Sequence, residues 1–510
     1  MELAQSILSG FYYVVCSLLV LYGLHRMAVL AAHLRERRRP HLEPEPPAAW
    51  PTVTVQLPVF NERYVVRRLL EAVARLDYPR DRLEVQVLDD STDCTARLLR
   101  RMCAVLRRGG LDVQHVHRTH RRGYKAGALA AGFHTARGEL IAIFDADFVP
   151  PPDFLRRTVP HLLQPGVGVV QARWGHLNRE FSWFTRLQAV LLDGHFVIEQ
   201  SARSATGCLL SFNGTGGVWR RQAIVAAGGW SSDTLTEDLD LSFRAQLAGW
   251  RVRYLSDVVV PGELPEDPNS FRSQQRRWTK GGVQVARKLL PRILRAPLPA
   301  YVKVEAFFHL TCYAAHPLLL LLAMLRTPTR VLAPGPSLFG MLPGEIELLF
   351  IGTLPLILFY VVATWGSGEV RRGWRCIAPS LPAMALGAGL AVSNTRAVLE
   401  GLFGSDLTFE RTPKAGRAAQ PAAAPRQRPS AYASPRAWIA CVEVVLVVYL
   451  VLWKVLGTGA QVLNDVPFLV FFGFGLLSLA LPTLSGELAA RGLGLRALAG
   501  ARRSSAAASA

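Results

Sequence analysis

The 510-residue chain has few cysteines and few charged residues. Its seven cysteines lie far apart, without a CxxC pair or a Cys/His cluster at zinc spacing, which argues against a disulfide framework or a structural zinc site and favours a reducing compartment. Only 19% of the residues are charged, whereas 50% are hydrophobic, which excludes a wholly disordered or collagen-like chain. At this length and apolar content, the sequence predicts a soluble domain combined with membrane segments.

The N-terminus lacks the basic segment of a cleaved signal peptide. An apolar run over 11–32 is followed by the basic stretch HLRERRRPH, so residues 1–33 are predicted to be an uncleaved transmembrane anchor with its N-terminus outside. The net charge of +20 comes from lysines and arginines that cluster beside apolar runs. This pattern follows the positive-inside rule and indicates contact with membrane lipid rather than with nucleic acid.

Further apolar runs follow residue 300. The run over 376–393 is short, rich in Pro, Gly and Ala, and continues into Arg396 and Glu400, so it is interpreted as an interfacial or re-entrant helix. Counting it as a sixth span would place the arginine-bearing C-terminus outside, against the charge rule. The predicted organisation is therefore a cytosolic domain over 34–300, two transmembrane helices in 301–365, an interfacial helix and flexible linker in 366–436, two more transmembrane helices in 437–482 and a cytosolic tail over 483–510.

Short β-rich runs alternate with amphipathic helical stretches between residues 50 and 290. This rhythm predicts a mostly parallel sheet with helices on both faces, whose strands are placed at 53–60, 84–90, 112–117, 140–147 and 167–173. In such sheets ligands bind beyond the carboxyl ends of the strands, so Glu62, Asp89 and Asp90 are expected to face one crevice. Helix capping is the alternative role for Asp90.

An Asp-Ala-Asp sequence ends the fourth strand predicted here. Side chains alternate along a strand, so Asp145 and Asp147 are expected to project to the same side. Two adjacent carboxylates repel each other unless a cation lies between them. The pair therefore predicts a site for Mg²⁺ or Mn²⁺ bound together with a diphosphate.

Two later helices carry further candidates. Glu237 and Asp238 begin one helix, where the helix dipole favours carboxylates, so a purely structural role stays open. Gln274, Arg277 and Trp278 share one face of the next helix. A guanidinium suited to a diphosphate then lies beside an indole suited to stacking on a sugar ring.

Together these blocks resemble family-2 glycosyltransferases, in particular the processive β-glycan synthases. The resemblance is carried by VLDDSTD, RGYKAGAL, IFDADF, FNGTGGVW, TEDLDLSFRAQLAGW and QQRRW, which read much like the cellulose synthase-like A and C proteins of plants and their bacterial relatives. These relatives make mannan, glucomannan or glucan backbones. The resemblance implies an α/β GT-A fold, Rossmann-like with a mostly parallel sheet, as a cytosolic catalytic domain joined to an α-helical transmembrane bundle.

The resemblance also assigns roles. It makes Asp238, beside Glu237, the general base. It implies a metal site at Asp145 and Asp147 and donor binding by Glu62, Asp89 or Asp90, Lys125, Asp145, Gln274 and Arg277. It places acceptor binding at Trp278, Phe212, Asn213 and Gly214. The segment FERTPK resembles a gating loop of pattern FxVTxK, with Phe409, Thr412 and Lys414 in place and Arg411 where the family has valine.

The implied function is an inverting, metal-dependent hexosyltransferase that extends a β-linked polysaccharide from GDP-mannose or UDP-glucose and feeds it across the membrane. Composition favours a bacterial inner membrane, or the Golgi in a eukaryote. Two alternatives stay open: a glycolipid synthase that adds a single sugar to a lipid, and a transporter with a degenerate soluble domain. His115, His117 and His120 lack a neighbouring carboxylate in the sequence and are interpreted as a solvated or phosphate-facing edge. Trp174 is assigned equally to sugar stacking and to the core.

Overall fold

The computed structural model describes residues 2–36, 43–332, 344–368, 373–409, 411–412, 414, 416, 437–456 and 466–488. A seven-stranded sheet forms the centre of the soluble domain. Its strands are β1 (Val53–Val59), β2 (Leu83–Asp89), β3 (Asp112–His117), β4 (Leu140–Ile143), β5 (Val167–His176), β6 (Gly217–Arg220) and β7 (Arg251–Gly262). The strand order is β3-β2-β1-β4-β6-β5-β7, and only β6 runs antiparallel to its neighbours. The predicted mostly parallel α/β sheet is confirmed.

Helices cover both faces of this sheet because the strands bury side chains on both sides. Along β1, Val53, Val55 and Leu57 enter one hydrophobic core. Thr54 and Gln56 point to the opposite face, where they are fully buried and donate hydrogen bonds to side chains of β2. The soluble domain's α-helices are α2 (Val66–Ala74), α3 (Thr95–Arg108), α4 (Tyr124–Thr135), α5 (Phe154–Leu162), α6 (Trp183–Asp193), α7 (Gln200–Thr206), α8 (Arg221–Ala226), α9 (Glu237–Leu247) and α10 (Pro268–Arg295).

The fourth strand ends earlier than the sequence predicts. β4 stops at Ile143, and Asp145 and Asp147 lie in the turn that follows it. The expectation that they alternate on a strand is therefore wrong. The turn is closed by a hydrogen bond of 3.1 Å from the Phe148 N–H to the Asp145 backbone oxygen. Thr215 fixes the turn from the other side, since its hydroxyl accepts a hydrogen bond of 2.9 Å from the Asp145 N–H.

The apolar helices are α1 (Glu2–Glu36), α11 (Ala300–Thr311), α12 (Ala315–Leu332), α13 (Gly344–Gly366), α14 (Trp374–Ile377), α15 (Ser380–Gly389), α16 (Ala391–Phe403), α17 (Ala437–Leu456) and α18 (Val466–Leu488). In the part of the chain that the structure describes, three helical stretches are long and apolar enough to cross a membrane: Leu3–Glu36, Ala300–Arg326 and Val466–Leu488. The second of these combines α11 with most of α12. The three stretches indicate an integral membrane protein. Apolar segments Ile351–Gly366 and Ala437–Leu452 are shorter.

The segment interpreted as interfacial is bent. Trp374–Gly389 and Ala391–Phe403 meet at an angle of 50°, which is the geometry of a broken span or of a re-entrant loop. The five-span count thus stays a prediction. The linker predicted over 415–436 lies outside the described residues except for residue 416, and the tail predicted over 483–510 lies outside them from residue 489 on. The first residues assigned to that tail belong to the end of α18.

Candidate active site

A cavity of about 200 Å³ opens beyond the carboxyl ends of the parallel strands. It gathers residues that are far apart in the sequence, because several parallel strands end at this edge and pass into loops that line the opening. The predicted site residues in its wall are Glu62, Asp90, Lys125, Asp145, Asp147, Asn213, Glu237, Asp238, Gln274, Arg277, Trp278, Phe409, Thr412 and Lys414. Among the predicted residues, Asp89, Phe212 and Gly214 do not line it.

Lys125 lies between the acidic groups at the centre of this wall. Its Nζ is 2.6 Å from Asp145 Oδ1 and 3.9 Å from Glu237 Oε1, and it donates a hydrogen bond of 2.9 Å to the backbone oxygen of Gly214. Burial lowers the pKa of Lys125, but the carboxylates of Asp145, Glu237 and Asp238 outweigh burial and raise this pKa overall. Lys125 is therefore a fixed cation that compensates the acidic cluster.

The two carboxyl groups at the start of α9, Glu237 and Asp238, both have a raised pKa. Burial first, and then repulsion from Asp238, raises the pKa of Glu237 to about 7. Burial also raises the pKa of Asp238, whose Oδ1 accepts a hydrogen bond from the Leu239 N–H. A carboxylate with a raised pKa is a stronger base, which suits proton abstraction near neutral pH. Asp240, two residues along, is instead paired with Arg244 and Lys288 and does not line the cavity.

Asp147 is held by groups from two distant parts of the chain. Its Oδ2 is 2.8 Å from Lys414 Nζ and accepts a hydrogen bond of 3.1 Å from the Glu263 N–H. Lys414 also donates to the Glu263 backbone oxygen. The Glu263 side chain, almost fully buried, forms an ion pair of 2.8 Å with Arg68 and accepts a hydrogen bond from the residue 416 N–H. Glu263 thereby connects the sheet to the FERTPK segment.

Other residues of that segment also cover the cavity. The Arg411 guanidinium makes two hydrogen bonds to the carboxylate of Glu62, at 2.8 and 2.6 Å. Phe409 stacks on Tyr124 with ring centroids 5.7 Å apart, and the guanidinium carbon of Arg277 lies 4.5 Å from the Phe409 ring centre. Residues 410, 413 and 415 lie outside the described residues. The segment therefore contacts three separate parts of the soluble domain, at Glu62, Tyr124 and Arg277.

The two aspartates at the end of β2, Asp89 and Asp90, point in different directions. Asp90 lines the cavity and accepts two hydrogen bonds from Arg118, at 2.7 and 2.6 Å. Asp89 is fully buried, and its carboxylate contacts Ser91 N, His115 and His117. Burial raises the pKa of Asp89, but these hydrogen bonds outweigh burial and lower it overall. Of the pair assigned to the donor, Asp90 alone faces the cavity.

The far side of the cavity is aromatic. Trp278 and Trp174 lie with ring centroids 6.4 Å apart, and both line the opening. Trp174 also stacks on Phe196 at 4.8 Å and donates through Nε1 to the Thr215 backbone oxygen, so it belongs to both the cavity wall and the core. Phe212, predicted to contact the acceptor, is buried in the core against Trp219 because its ring completes the packing behind the loop.

Asn213 has a fixed orientation at the edge of this aromatic side. Its Nδ2 donates a hydrogen bond of 2.9 Å to His195 Nε2, and its Oδ1 accepts one of 2.7 Å from Gln200. Burial first, and then nearby arginines, lowers the pKa of His195 to about 3, so the ring is neutral. The other ring nitrogen therefore carries the proton and donates to Glu199 Oε2 at 3.2 Å.

Asp145 and Asp147 fit a divalent cation. Their carboxylate oxygens are the hard donors that Mg²⁺ and Mn²⁺ prefer, and both side chains are partly accessible from the cavity. Each is compensated by an ammonium group, Lys125 or Lys414, which indicates that positive charge is favoured at this position. With only two carboxylates, the remaining ligands of such an ion would come from phosphate oxygens and water.

Sequence reasoning missed two residues of this site. Glu263 was given no role, although it directly follows β7 and so shares the carboxyl-end edge with the other acids. Arg411 was noted only as a departure from the gating-loop pattern. Its partner, Glu62, is 349 residues away, and no local sequence signal indicates that pairing.

Comparison with known proteins agrees with this geometry. Residues 51–281 match the family described as glycosyltransferase like family 2. The chain is 46% identical over 253 residues to glucomannan 4-beta-mannosyltransferase 1 of Oryza sativa subsp. japonica, covering 49% of each protein. It is 40% identical over 326 residues to glucomannan 4-beta-mannosyltransferase 2 of Arabidopsis thaliana, covering 59% of this chain and 61% of the relative.

The chain thus spans about half to three-fifths of the length of the curated relatives it matches. Among solved structures, it resembles a mannosyltransferase from Pyrobaculum calidifontis in complex with GDP-Man and Mn²⁺. The TM-score is 0.56 at 24% identity, over 78% of this chain and all of the other, which supports the same fold. The resemblance predicted from the motif blocks is confirmed over residues 51–281, which match glycosyltransferase-like family 2.

Proposed function

We propose that the protein is a membrane-embedded, inverting hexosyltransferase that extends a β-linked polysaccharide from a nucleotide sugar. GDP-mannose is the first candidate donor, since the named relatives are mannosyltransferases and the related structure holds GDP-Man. UDP-glucose is the second. The observation that carries this proposal is the single cavity in which an acidic pair of raised pKa, two further aspartates and two tryptophans converge.

The charges divide the cavity into a donor part and an acceptor part. Asp90 and Lys125 border the donor part with Arg277, whose guanidinium suits the diphosphate of a nucleotide sugar. Trp278 and Trp174 offer indole surfaces on which a sugar ring stacks. Asp238 faces the junction between the two parts, because Lys125 and Gly214 lie beside it.

Transfer proceeds as one in-line displacement. Asp238 accepts the proton of the acceptor hydroxyl as that oxygen bonds to the anomeric carbon. The bond from this carbon to the diphosphate oxygen breaks, and its electron pair leaves with the diphosphate. Arg277 stabilises the departing negative charge. A divalent cation bound by Asp145 and Asp147 would supply further charge stabilisation. An α-linked donor then gives a β-linked product.

A donor screen with product sizing tests the proposal. The purified full-length chain in detergent is incubated with GDP-mannose, UDP-glucose or UDP-GlcNAc, and release of nucleoside diphosphate is measured with Mg²⁺ or Mn²⁺. We expect release from a hexose donor and a ladder of alkali-stable oligosaccharides. A single labelled glycolipid would favour the glycolipid synthase instead, and an absence of release from every donor would contradict a transferase.

We also propose that the soluble domain faces the cytosol of a bacterium. The positively charged residues that follow the first apolar run support this orientation. Cys94 is an exposed cysteine of the soluble domain. A membrane-impermeant maleimide should label it in inside-out vesicles and not in sealed cells, with Cys94→Ser as the control. Labelling in sealed cells would contradict the orientation.

A further inference from the structure

Two neighbouring strands bring an aspartate and two histidines together outside the cavity. In the parallel pairing of β2 with β3, Asp89 lies opposite His117, and Val87 lies opposite His115. Side chains at i and i+2 of a strand share a face, and so do directly paired residues of adjacent strands. The register therefore puts His115, His117 and Asp89 on one face, so that a carboxylate lies beside the two imidazoles.

The two imidazoles converge on one oxygen of the Asp89 carboxylate. His115 Nε2 is 2.9 Å and His117 Nδ1 is 3.1 Å from Asp89 Oδ2, and the ligand atoms of all three residues lie within 4.8 Å of one another. Bond lengths of about 2.0 Å in a tetrahedral zinc site separate neighbouring ligand atoms by roughly 3.3 Å. The two oxygen-to-nitrogen distances are within a few tenths of an ångström of this value, and rotation of the imidazoles would bring all three ligand atoms around one Zn²⁺ ion.

The surroundings favour binding. The Ser91 N–H donates to Asp89 Oδ1 at 2.8 Å, which fixes the orientation of the carboxylate and leaves Oδ2 toward the imidazoles. The side chains of Asp89 and His115 are 0% and 9% exposed, whereas that of His117 is 34% exposed. The cluster is thus rigid on its inner side and open on its outer side, where an ion can enter and a water molecule can complete the coordination.

We propose that Asp89, His115 and His117 form a site for a zinc-like transition-metal ion, separate from the carboxylate pair of the cavity. Two imidazole nitrogens and one carboxylate are typical ligands of Zn²⁺, whereas Mg²⁺ prefers oxygen ligands alone. An ion bound here links the edge strand β3 to β2. The residue after His117 is Arg118, which holds Asp90 in the cavity wall, so the ion would also stabilise that wall.

Zinc binding by the tag-free, metal-stripped full-length chain tests this site directly. Competition with a chromophoric chelator is measured in excess Mg²⁺, which occupies oxygen-only sites such as Asp145 and Asp147. We expect one zinc equivalent per wild-type chain. The variant His117→Gln should bind it more than about 100-fold more weakly, since losing a direct ligand costs more than losing an outer partner. His120→Gln, an exposed histidine three residues away and outside the cluster, should bind like wild type.

Thermal unfolding provides a second readout that does not depend on transferase activity. Zn²⁺ should raise the unfolding midpoint of the wild type and of His120→Gln, but not that of His117→Gln or Asp89→Asn. Co²⁺ substitution should give the absorption bands of a nitrogen-ligated ion only in the first two proteins. Equal zinc affinity in His117→Gln and wild type, or no zinc binding by the wild type, would overturn the assignment.

Discussion

A single methyl group at Gly214 is expected to displace the proposed base. Gly214 has φ +81°, and a Cβ atom there would lie 2.7 Å from Asp238 Oδ2 and 3.1 Å from Lys125 Nζ. Restoring a contact of about 3.5 Å requires the carboxylate oxygen to retreat by roughly 0.8 Å. A displacement of this size at a reacting group costs on the order of 10²-fold in rate. We therefore expect Gly214→Ala to lower the transfer rate about 10²-fold, measured with labelled nucleotide sugar.

The effect of the strained backbone at Gly214 must be separated from the effect of the added methyl group on Asp238. Gly207 has a similar φ of +68°, but a Cβ atom there would meet no atom within 4 Å. An alanine costs roughly 1–2 kcal/mol of folding free energy at either glycine because of the left-handed backbone. Gly207→Ala should therefore lose similar stability in thermal unfolding and keep its transfer rate. If Gly214→Ala and Gly207→Ala were equally active, the position assigned to the base would be refuted.

Three further changes probe the groups around the base. Burial raises the pKa of Asp238 and the ammonium group of Lys125 opposes this effect, so Lys125→Met removes a positive neighbour and should move the acid limb of the kcat/KM profile to higher pH; an unchanged limb would contradict this coupling. Glu263→Gln breaks a buried ion pair and should cost about 3–5 kcal/mol in chemical unfolding, whereas the exposed pair lost in Glu71→Gln should cost at most about 1 kcal/mol. Equal losses would exclude a structural role for the Glu263 pair. His195→Leu removes the acceptor that orients Asn213 and should raise the KM for an acceptor oligosaccharide while the donor KM stays constant; a change in donor KM alone would refute this orientation role.

The sheet was largely predictable, because apolar runs and helical repeats alternate along 50 to 290. The runs that became β1, β2, β3 and β5 were placed within a few residues of their observed bounds. β6 and β7 were not predicted. The four residues of β6 give too short a pattern, and its antiparallel direction depends on pairing with β4 and β5. The convergence of acids from several strands followed from the rule that parallel strands end at one edge.

Side-chain contacts between segments that are distant in the sequence could not be predicted from local sequence patterns. Asp89 and Asp90 are adjacent in sequence, yet one contacts the histidines of β3 and the other contacts Arg118 at the cavity. Which of the two faces the cavity depends on the backbone after β2, which ends at Asp89. Contacts of the FERTPK segment with Glu62 and Glu263 depend on how the chain returns over the cavity after α16, and neither periodicity nor charge patterning encodes that return.

Replacement of the proposed base tests the central claim most directly. Asp238→Asn and Asp240→Asn change acids two residues apart on α9, of which only Asp238 lines the cavity. For purified, folded protein, donor binding and transfer are measured on the same preparation. We predict that Asp238→Asn binds the nucleotide sugar like wild type but transfers it roughly 10²–10⁴-fold more slowly, while folded Asp240→Asn transfers at close to the wild-type rate. Transfer near the wild-type rate by donor-binding Asp238→Asn would contradict the account.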